Sequence, residues 1–378
     1  MNYQGSQYNS PFPNINIIYG GSKQNEDDIE EYKNKEELLE NPLYFLQKDE
    51  NGSKIIQDLY KKLTPNEKNQ IFNKIKSEIK ELSKNEFANY FIVVLIEEND
   101  NEKINFIYNS LKDDLFEFSL DKHGTYVIQE LLKKLDKKII EELWDKFYNH
   151  CNNQNFEEKA FDQNLNHVLQ IFIKRNKMNN NDRIYEKIIN KFDVYSKDKY
   201  GCYIIQAFLT NCKDDHYNKI YNETCKKFKE LIKHESGTYL IVFFLENDKN
   251  KDNHKIYGCL KGNVFNYSRD KNAILSIKKA YEKGTEEQRK QIIEEVINSD
   301  YIISLTKHEY GNYAVQHFLE YSDEKTRNIL IEKIKSVKDI ESDKSAKYVL
   351  KKIKELNNSK MSINKDHFRK LMIINSNI

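Results

Sequence analysis

From Pro42 onward, apolar residues recur at helical spacing almost without interruption, and strand-like alternation is nearly absent. The segment "GTYVIQELL", residues 124–132, shows the pattern. Val127, Ile128, Leu131 and Leu132 fall at i, i+1, i+4 and i+5, which makes one continuous apolar stripe on a helix. Thr125 and Gln129 are also four apart and share a different face, with Tyr126 beside them. The stripe predicts core; the polar pair and the ring need another reason. Pro65 in "LTPNEKNQ" stands where a helix starts, and an all-α protein is expected.

The same line returns along the chain. Beyond the first 28 residues and a few loops, glycines stand at Gly52, Gly124, Gly201, Gly237 and Gly311, spaced by one or two steps of about 36 residues. Ala88, Leu165 and Ala273 fill the missing steps. The eight copies read "NGSKIIQDL", "FANYFIVVL", "HGTYVIQEL", "NLNHVLQIF", "YGCYIIQAF", "SGTYLIVFF", "NAILSIKKA" and "YGNYAVQHF", and a weaker ninth, "SAKYVLKKI", ends the array. Each is followed by a second helical segment, such as "KKIIEELWDKF" or "EKTRNILIEKI". A unit this small cannot bury its own apolar side, so neighbours must stack into a helical solenoid. Trp144, in the second segment of the third copy, is expected between repeats.

Composition narrows the function without naming it. The 378 residues carry a net charge of +1, so a nucleic-acid reading must rest on local arrangement. Five cysteines, Cys151, Cys202, Cys212, Cys225 and Cys259, form no CxxC pair; this argues against a disulfide framework or a zinc site and for a reducing compartment. No phosphate loop, HExxH or metal-ligand spacing occurs, so neither an enzyme nor a cofactor is expected. The longest apolar run, "FIVVLI", is too short to span a bilayer, and a soluble cytoplasmic monomer is expected. Residues 1–28 mix Asn, Gly, Ser and Pro without period and read as a disordered tail, leaving 29–378 as one domain. The surplus around "CNNQNFEEKAF" and the stretch "ENDKNKDNHK" read as loops.

The polar pair is what the repeat carries around the solenoid. Gln57, Gln129, Gln170, Gln206 and Gln316 occupy one place, and a buried unpaired amide is costly, so these residues are expected on a binding surface. A line of amides with flat rings between them suits bases, which offer edges to hydrogen-bond and faces to stack.

Period, register and side-chain chemistry together resemble the RNA-binding domain of the Pumilio (PUF) family over about residues 40–355. The resemblance implies a right-handed α-solenoid of eight three-helix repeats forming a crescent, with a C-terminal cap at 335–378. It implies single-stranded RNA on the concave face, running antiparallel to the protein. The first and fifth residues after the small opener would read a base edge, and the second would stack. Copy by copy these are Ser53, Lys54 and Gln57; Asn89, Tyr90 and Val93; Thr125, Tyr126 and Gln129; Asn166, His167 and Gln170; Cys202, Tyr203 and Gln206; Thr238, Tyr239 and Val242; Ile274, Leu275 and Lys278; Asn312, Tyr313 and Gln316. Asn with Gln implies uracil, and Cys or Ser with Gln implies adenine, which gives 5′-U-n-n-A-U-A-n-A-3′. Val93 and Val242 remove one arm from their sites, and Ile274 with Lys278 replaces the family's Ser and Glu for guanine. The family further implies action on 3′ untranslated regions of messenger RNA, through repression or decay, with deadenylase or repressor proteins on the convex face. The alternative is a Pumilio-like ribosome-biogenesis factor that binds ribosomal RNA with little base preference; a protein-binding scaffold would need no such row.

Overall fold

The computed structural model describes residues 35–176, 181–247 and 253–358. The tail at 1–28, the cap beyond 358 and residues 248–252 of the 246–255 stretch lie outside these. Among the described residues every regular element is helical.

After an opening helix, Lys35–Glu40, the helices fall into eight triplets of short, inner and outer helix. The inner helices are α1 (Glu50–Lys62), α2 (Asn89–Glu97), α3 (Gly124–Lys134), α4 (Leu165–Arg175), α5 (Lys199–Leu209), α6 (Gly237–Glu246), α7 (Ala273–Lys283) and α8 (Gly311–Tyr321). A further helix over 346–358 follows the eighth triplet and carries the ninth copy.

Contacts divide the chain into two compact units, where the sequence suggests one domain. The first takes the chain up to Lys191 with Lys199–Asp214; the second takes Phe192–Asp198 and everything from Asp215. In the first unit α1 to α5 pack each on the next, and in the second α6 packs on α7 and α7 on α8.

Seven of the eight inner helices share one starting device, and α5 begins two residues before its opener Gly201. A polar residue three places before the opener accepts the opener's backbone N–H and often its predecessor's. Asp121 Oδ1 takes those of His123 and Gly124 at 2.9 and 2.7 Å, and Asp270 and Asp343 do the same at their turns. His308 Nδ1 takes those of Tyr310 and Gly311 at 3.2 Å, so its ring is neutral with the proton on Nε2. Burial, then Arg269, holds its pKa below the usual value in agreement. The opener is small because the helix start rests on the short helix before it: a Cβ on Gly311 would sit 2.8 Å from the Leu305 carbonyl oxygen.

The predicted stripe is core: Val127, Ile128, Leu131 and Leu132 are fully buried, each contributing about 1.5–3 kcal/mol at most. Trp144 is buried as well, its ring 5.8 Å from Phe172 of the fourth triplet. Pro65–Ile75 begins with a Thr64–Glu67 capping box.

The fourth triplet corrects the sequence reading. "CNNQNFEEKAF" is not an excursion but the end of a 17-residue outer helix, Lys137–Asn153, then a turn at Asn155 (φ 66°) and the short helix Phe156–Ala160. Cys151, Phe156 and Ala160 are buried, and that apolar contact holds the segment in the stack.

Candidate nucleic-acid interface

Sharing one starting turn gives the three positions of each copy the same place in the repeats that carry it. The first residue is buried throughout: Ser53, Asn89, Thr125, Asn166, Cys202, Thr238, Ile274 and Asn312 are all 5 % exposed or less. The second lies outermost. Tyr313 and Tyr126 are 48 % and 39 % exposed, and Lys54, Tyr90, His167, Tyr203, Tyr239 and Leu275 are partly so.

The fifth residue departs from the open ladder that the sequence suggests. Gln57, Gln129, Gln170 and Gln206 are buried, and Gln316 is partly exposed. The reason is a hydrogen bond one turn back. Gln57 Nε2 donates to Ser53 Oγ and Gln129 Nε2 to Thr125 Oγ1, both at 3.1 Å. Gln170 Nε2 donates to Asn166 Oδ1 at 2.7 Å, and Gln316 Nε2 to Asn312 Oδ1 at 3.0 Å.

The first residues are themselves held by backbone carbonyls, several of them in the next repeat. Ser53 Oγ donates to Phe87 O at 2.7 Å, Thr125 Oγ1 to Asn164 O at 3.1 Å and Thr238 Oγ1 to Asn272 O at 3.2 Å. Asn166 Nδ2 donates to Ala160 O at 2.7 Å and Tyr200 O at 3.2 Å. A hydroxyl that gives its proton to a carbonyl has only lone pairs left for the amide, so each glutamine must face it with its NH₂. The Oε1 atoms of Gln57, Gln129, Gln170 and Gln316 accept no hydrogen bond among the described residues, and none of them is sealed from solvent. These four repeats therefore offer an outward acceptor.

Three repeats lack one half of the pair. Val93 and Val242 cannot donate, and Asn89 Oδ1 is sealed without a partner. Cys202 puts sulfur where the other glutamine-bearing repeats have oxygen, and both polar atoms of Gln206 are sealed without a partner. An amide that is both buried and unpaired is what the sequence argument treats as too costly, and α5 holds one.

The rings form the other half of the surface. Tyr90 and Tyr126 stack at 6.4 Å between centroids with 25° between planes. Burial, then Lys199 and Lys174, pulls the His167 pKa down, so this second-position ring is neutral and planar like its tyrosine counterparts. Lys54 is tied to Glu50 at 2.7 Å. Val242 and Ile274 offer no hydrogen bond, and Lys278 supplies the only side-chain donor of the seventh trio. The sequence reading missed the charged cluster beside it. Lys279 bridges Glu246 at 2.8 Å and Glu282 at 3.1 Å, with His317 Nε2 3.8 Å from Glu282. A single copy gives no sign of it, because its members come from three helices.

Among the described residues no group of three His, Cys, Asp or Glu side chains is placed to hold a metal ion, and no helix is long and apolar enough to cross a membrane.

Five segments, 48–76, 114–146, 194–225, 263–297 and 301–335, match the sequence profile of the Pumilio-family RNA binding repeat. They cover the first, third, fifth, seventh and eighth triplets. No curated protein matches the chain. Among solved structures it is similar to the Puf3 RNA binding domain bound to a Cox17 RNA 3′ UTR recognition sequence, with 23 % identity and a TM-score of 0.71 over 86 % of this chain and 98 % of that one. PUF-8 in complex with PBE-RNA gives 21 % and 0.68 over 87 % and 97 %. The Puf4 RNA binding domain bound to an HO endonuclease RNA 3′ UTR sequence gives 24 % and 0.60 over 81 % and 97 %. The fold is an all-α Pumilio-type solenoid.

Proposed function

We propose that this chain, with its five segments similar to the Pumilio-family RNA binding repeat and its Pumilio-type fold, binds single-stranded RNA along the inner-helix row, one base per repeat, with the eighth repeat at the 5′ end. The observation that carries this reading is the set of unbonded amide oxygens on Gln129, Gln170 and Gln316, each with a ring at the neighbouring second position. An amide oxygen accepts from uracil N3–H or from the adenine amino group, and the neighbouring rings supply stacking. The preferred RNA is 5′-U-n-n-A-U-A-n-A-3′, with the second, sixth and seventh repeats outside the A/U code. Structural neighbours that hold 3′ UTR sequences support messenger RNA as the ligand. On this reading the chain regulates messenger RNA in the cytoplasm, through translation repression or decay. Deadenylase or repressor proteins on the outer helices would act on the captured transcript, with the chain working as a monomer.

A selection from randomised RNA tests the reading. An A/U pattern in this register is expected; a selection that returns none refutes it, and indifferent binding of ribosomal RNA favours a ribosome-biogenesis role. Tyr313→Ala checks the stacking. Loss of one stacked base costs about 1–3 kcal/mol, so affinity for every sequence should fall roughly 5- to 150-fold. A change within about twofold makes Tyr313 a packing residue.

A further inference from the structure

Four first-position side chains reach the carbonyl of the residue just before the next opener. Ser53 Oγ donates to Phe87 O, Thr125 Oγ1 to Asn164 O, Asn166 Nδ2 to Tyr200 O and Thr238 Oγ1 to Asn272 O. At two of these joints the same residue also reaches back with its side chain. Asn164 Nδ2 donates to Leu120 O at 2.9 Å, and Asn272 Nδ2 to Lys233 O at 2.7 Å. Leu120 and Lys233 each stand four places before the opener of the preceding repeat, so the two ties are one device. Asn164 thus holds the third repeat at two points, once as donor and once as acceptor.

At the third repeat the tie bears on a choice. Thr125 and Gln129 are 2 % and 3 % exposed, so they must satisfy each other. The Thr125 hydroxyl has one proton to give. While it goes to Asn164 O at 3.1 Å, Gln129 meets the hydroxyl oxygen with Nε2 at 3.1 Å and keeps Oε1 unbonded. A half-turn of the amide puts Oε1 where Nε2 is. The hydroxyl then donates to it, and the NH₂ group is left for a ligand. The place of the Asn164 carbonyl decides between the two arrangements. That carbonyl lies at the first turn of α4, where it also takes the N–H of His167 at 3.2 Å, so it moves only as α4 moves against α3. The bond to Leu120, the last residue of the short helix Leu115–Leu120, fixes that approach.

We propose that Asn164, outside the reading trios, is a positioning residue that sets base choice in the third repeat by holding the Gln129 amide with its oxygen towards the base. The proposal rests on the RNA-binding reading above, in which this repeat meets the sixth base, adenine, and Gln129 Oε1 accepts from its amino group. Without the tie the hydroxyl is free to donate to either oxygen, and the third repeat no longer distinguishes a base that offers an N–H there. The sixth repeat supplies an internal control. Asn272 ties the same joint, but Val242 stands in the glutamine's place, so that tie has no amide to orient.

The test titrates the full chain, by fluorescence anisotropy, with 5′-U-U-U-A-U-A-U-A-3′ and with the same RNA carrying purine riboside at the sixth base. Purine riboside is adenosine without its amino group. The wild type should bind it roughly fivefold more weakly, the net worth of one hydrogen bond. Asn164→Ala should bind both RNAs within about twofold of each other, whereas Asn272→Ala should keep the wild-type ratio. In a Thr125→Val background, which lacks the relaying hydroxyl, Asn164→Ala should not change the ratio further. Thermal unfolding checks that each variant is folded. If Asn164→Ala is not, Asn164→Ser replaces it; serine stands at this place in the sixth copy as Ser236 and is too short to reach Leu120 O. An Asn164 variant that keeps the wild-type ratio makes the tie purely structural and overturns the proposal. Equal levelling by Asn272→Ala overturns it too, because any loosening of the array would then blur the reading. A wild type that binds both RNAs alike, yet weakens when the fifth base is changed to cytosine, overturns the proposal and leaves RNA binding standing. Failure to bind either RNA overturns both.

Discussion

The fourth and fifth inner helices present the same register with opposite outcomes. In α4, Asn166 anchors to two carbonyls and its oxygen receives an N–H of Gln170, so all the polar atoms of Asn166 have partners. In α5 the oxygen is replaced by the sulfur of Cys202, a weak acceptor, and Gln206 is left with neither of its polar atoms bonded. α2 fails from the other side: Asn89 keeps its backbone bonds to Asn85 and Glu86, but Val93 leaves its oxygen orphaned. The glutamine and its partner are thus one structural unit, and the row proposed to read bases is a stabilising device wherever the unit is complete.

That comparison can be broken or sharpened by substitution. The largest effect is expected for Asn166→Leu, which removes the donor to the Ala160 carbonyl and the acceptor of the Gln170 amide, and with them the bond to the Tyr200 carbonyl. Each group so deprived costs about 1–3 kcal/mol, so urea unfolding should show a loss of about 3 kcal/mol or more. A loss under 1 kcal/mol would mean the anchor does not hold the pair. Gln206→Met removes two unsatisfied atoms and should raise stability by about 2 kcal/mol in urea unfolding. A loss of stability contradicts an unpaired amide. Val93→Gln should give Asn89 Oδ1 its missing donor, for about 1 kcal/mol, and bring uracil preference to the seventh base; a selection unchanged there speaks against the pair. Cys202→Ser is the smallest step. It offers Gln206 an oxygen and should add about 0.5–1 kcal/mol by thermal unfolding, with no gain expected in the Gln206→Met background.

The repeat, the helical class and the aliphatic core were legible because a 36-residue ruler and a stripe such as Val127, Ile128, Leu131 and Leu132 are local facts of spacing. The short helix Phe156–Ala160 was not: five residues among Asn, Gln and Glu carry no measurable period, and only the burial of Phe156 shows that they stay in the stack. Glutamine burial was illegible for a different reason. It depends on a residue four places back and on a carbonyl about 34 to 39 places ahead, as with Ser53 and Phe87 or Thr125 and Asn164. The acidic or histidine bracket at each turn was visible as a polar run, but its bond to two backbone N–H groups was not.

The reach of Ser53, Thr125 and Thr238 into the following turn also limits modular engineering. A unit cut from this array and inserted elsewhere would bring its own polar pair but lose the carbonyl that sets which way its amide faces. The transferable piece is therefore one repeat plus the first turn of its successor. If the row reads bases as proposed, exchanging units without that turn should yield domains that fold yet misread.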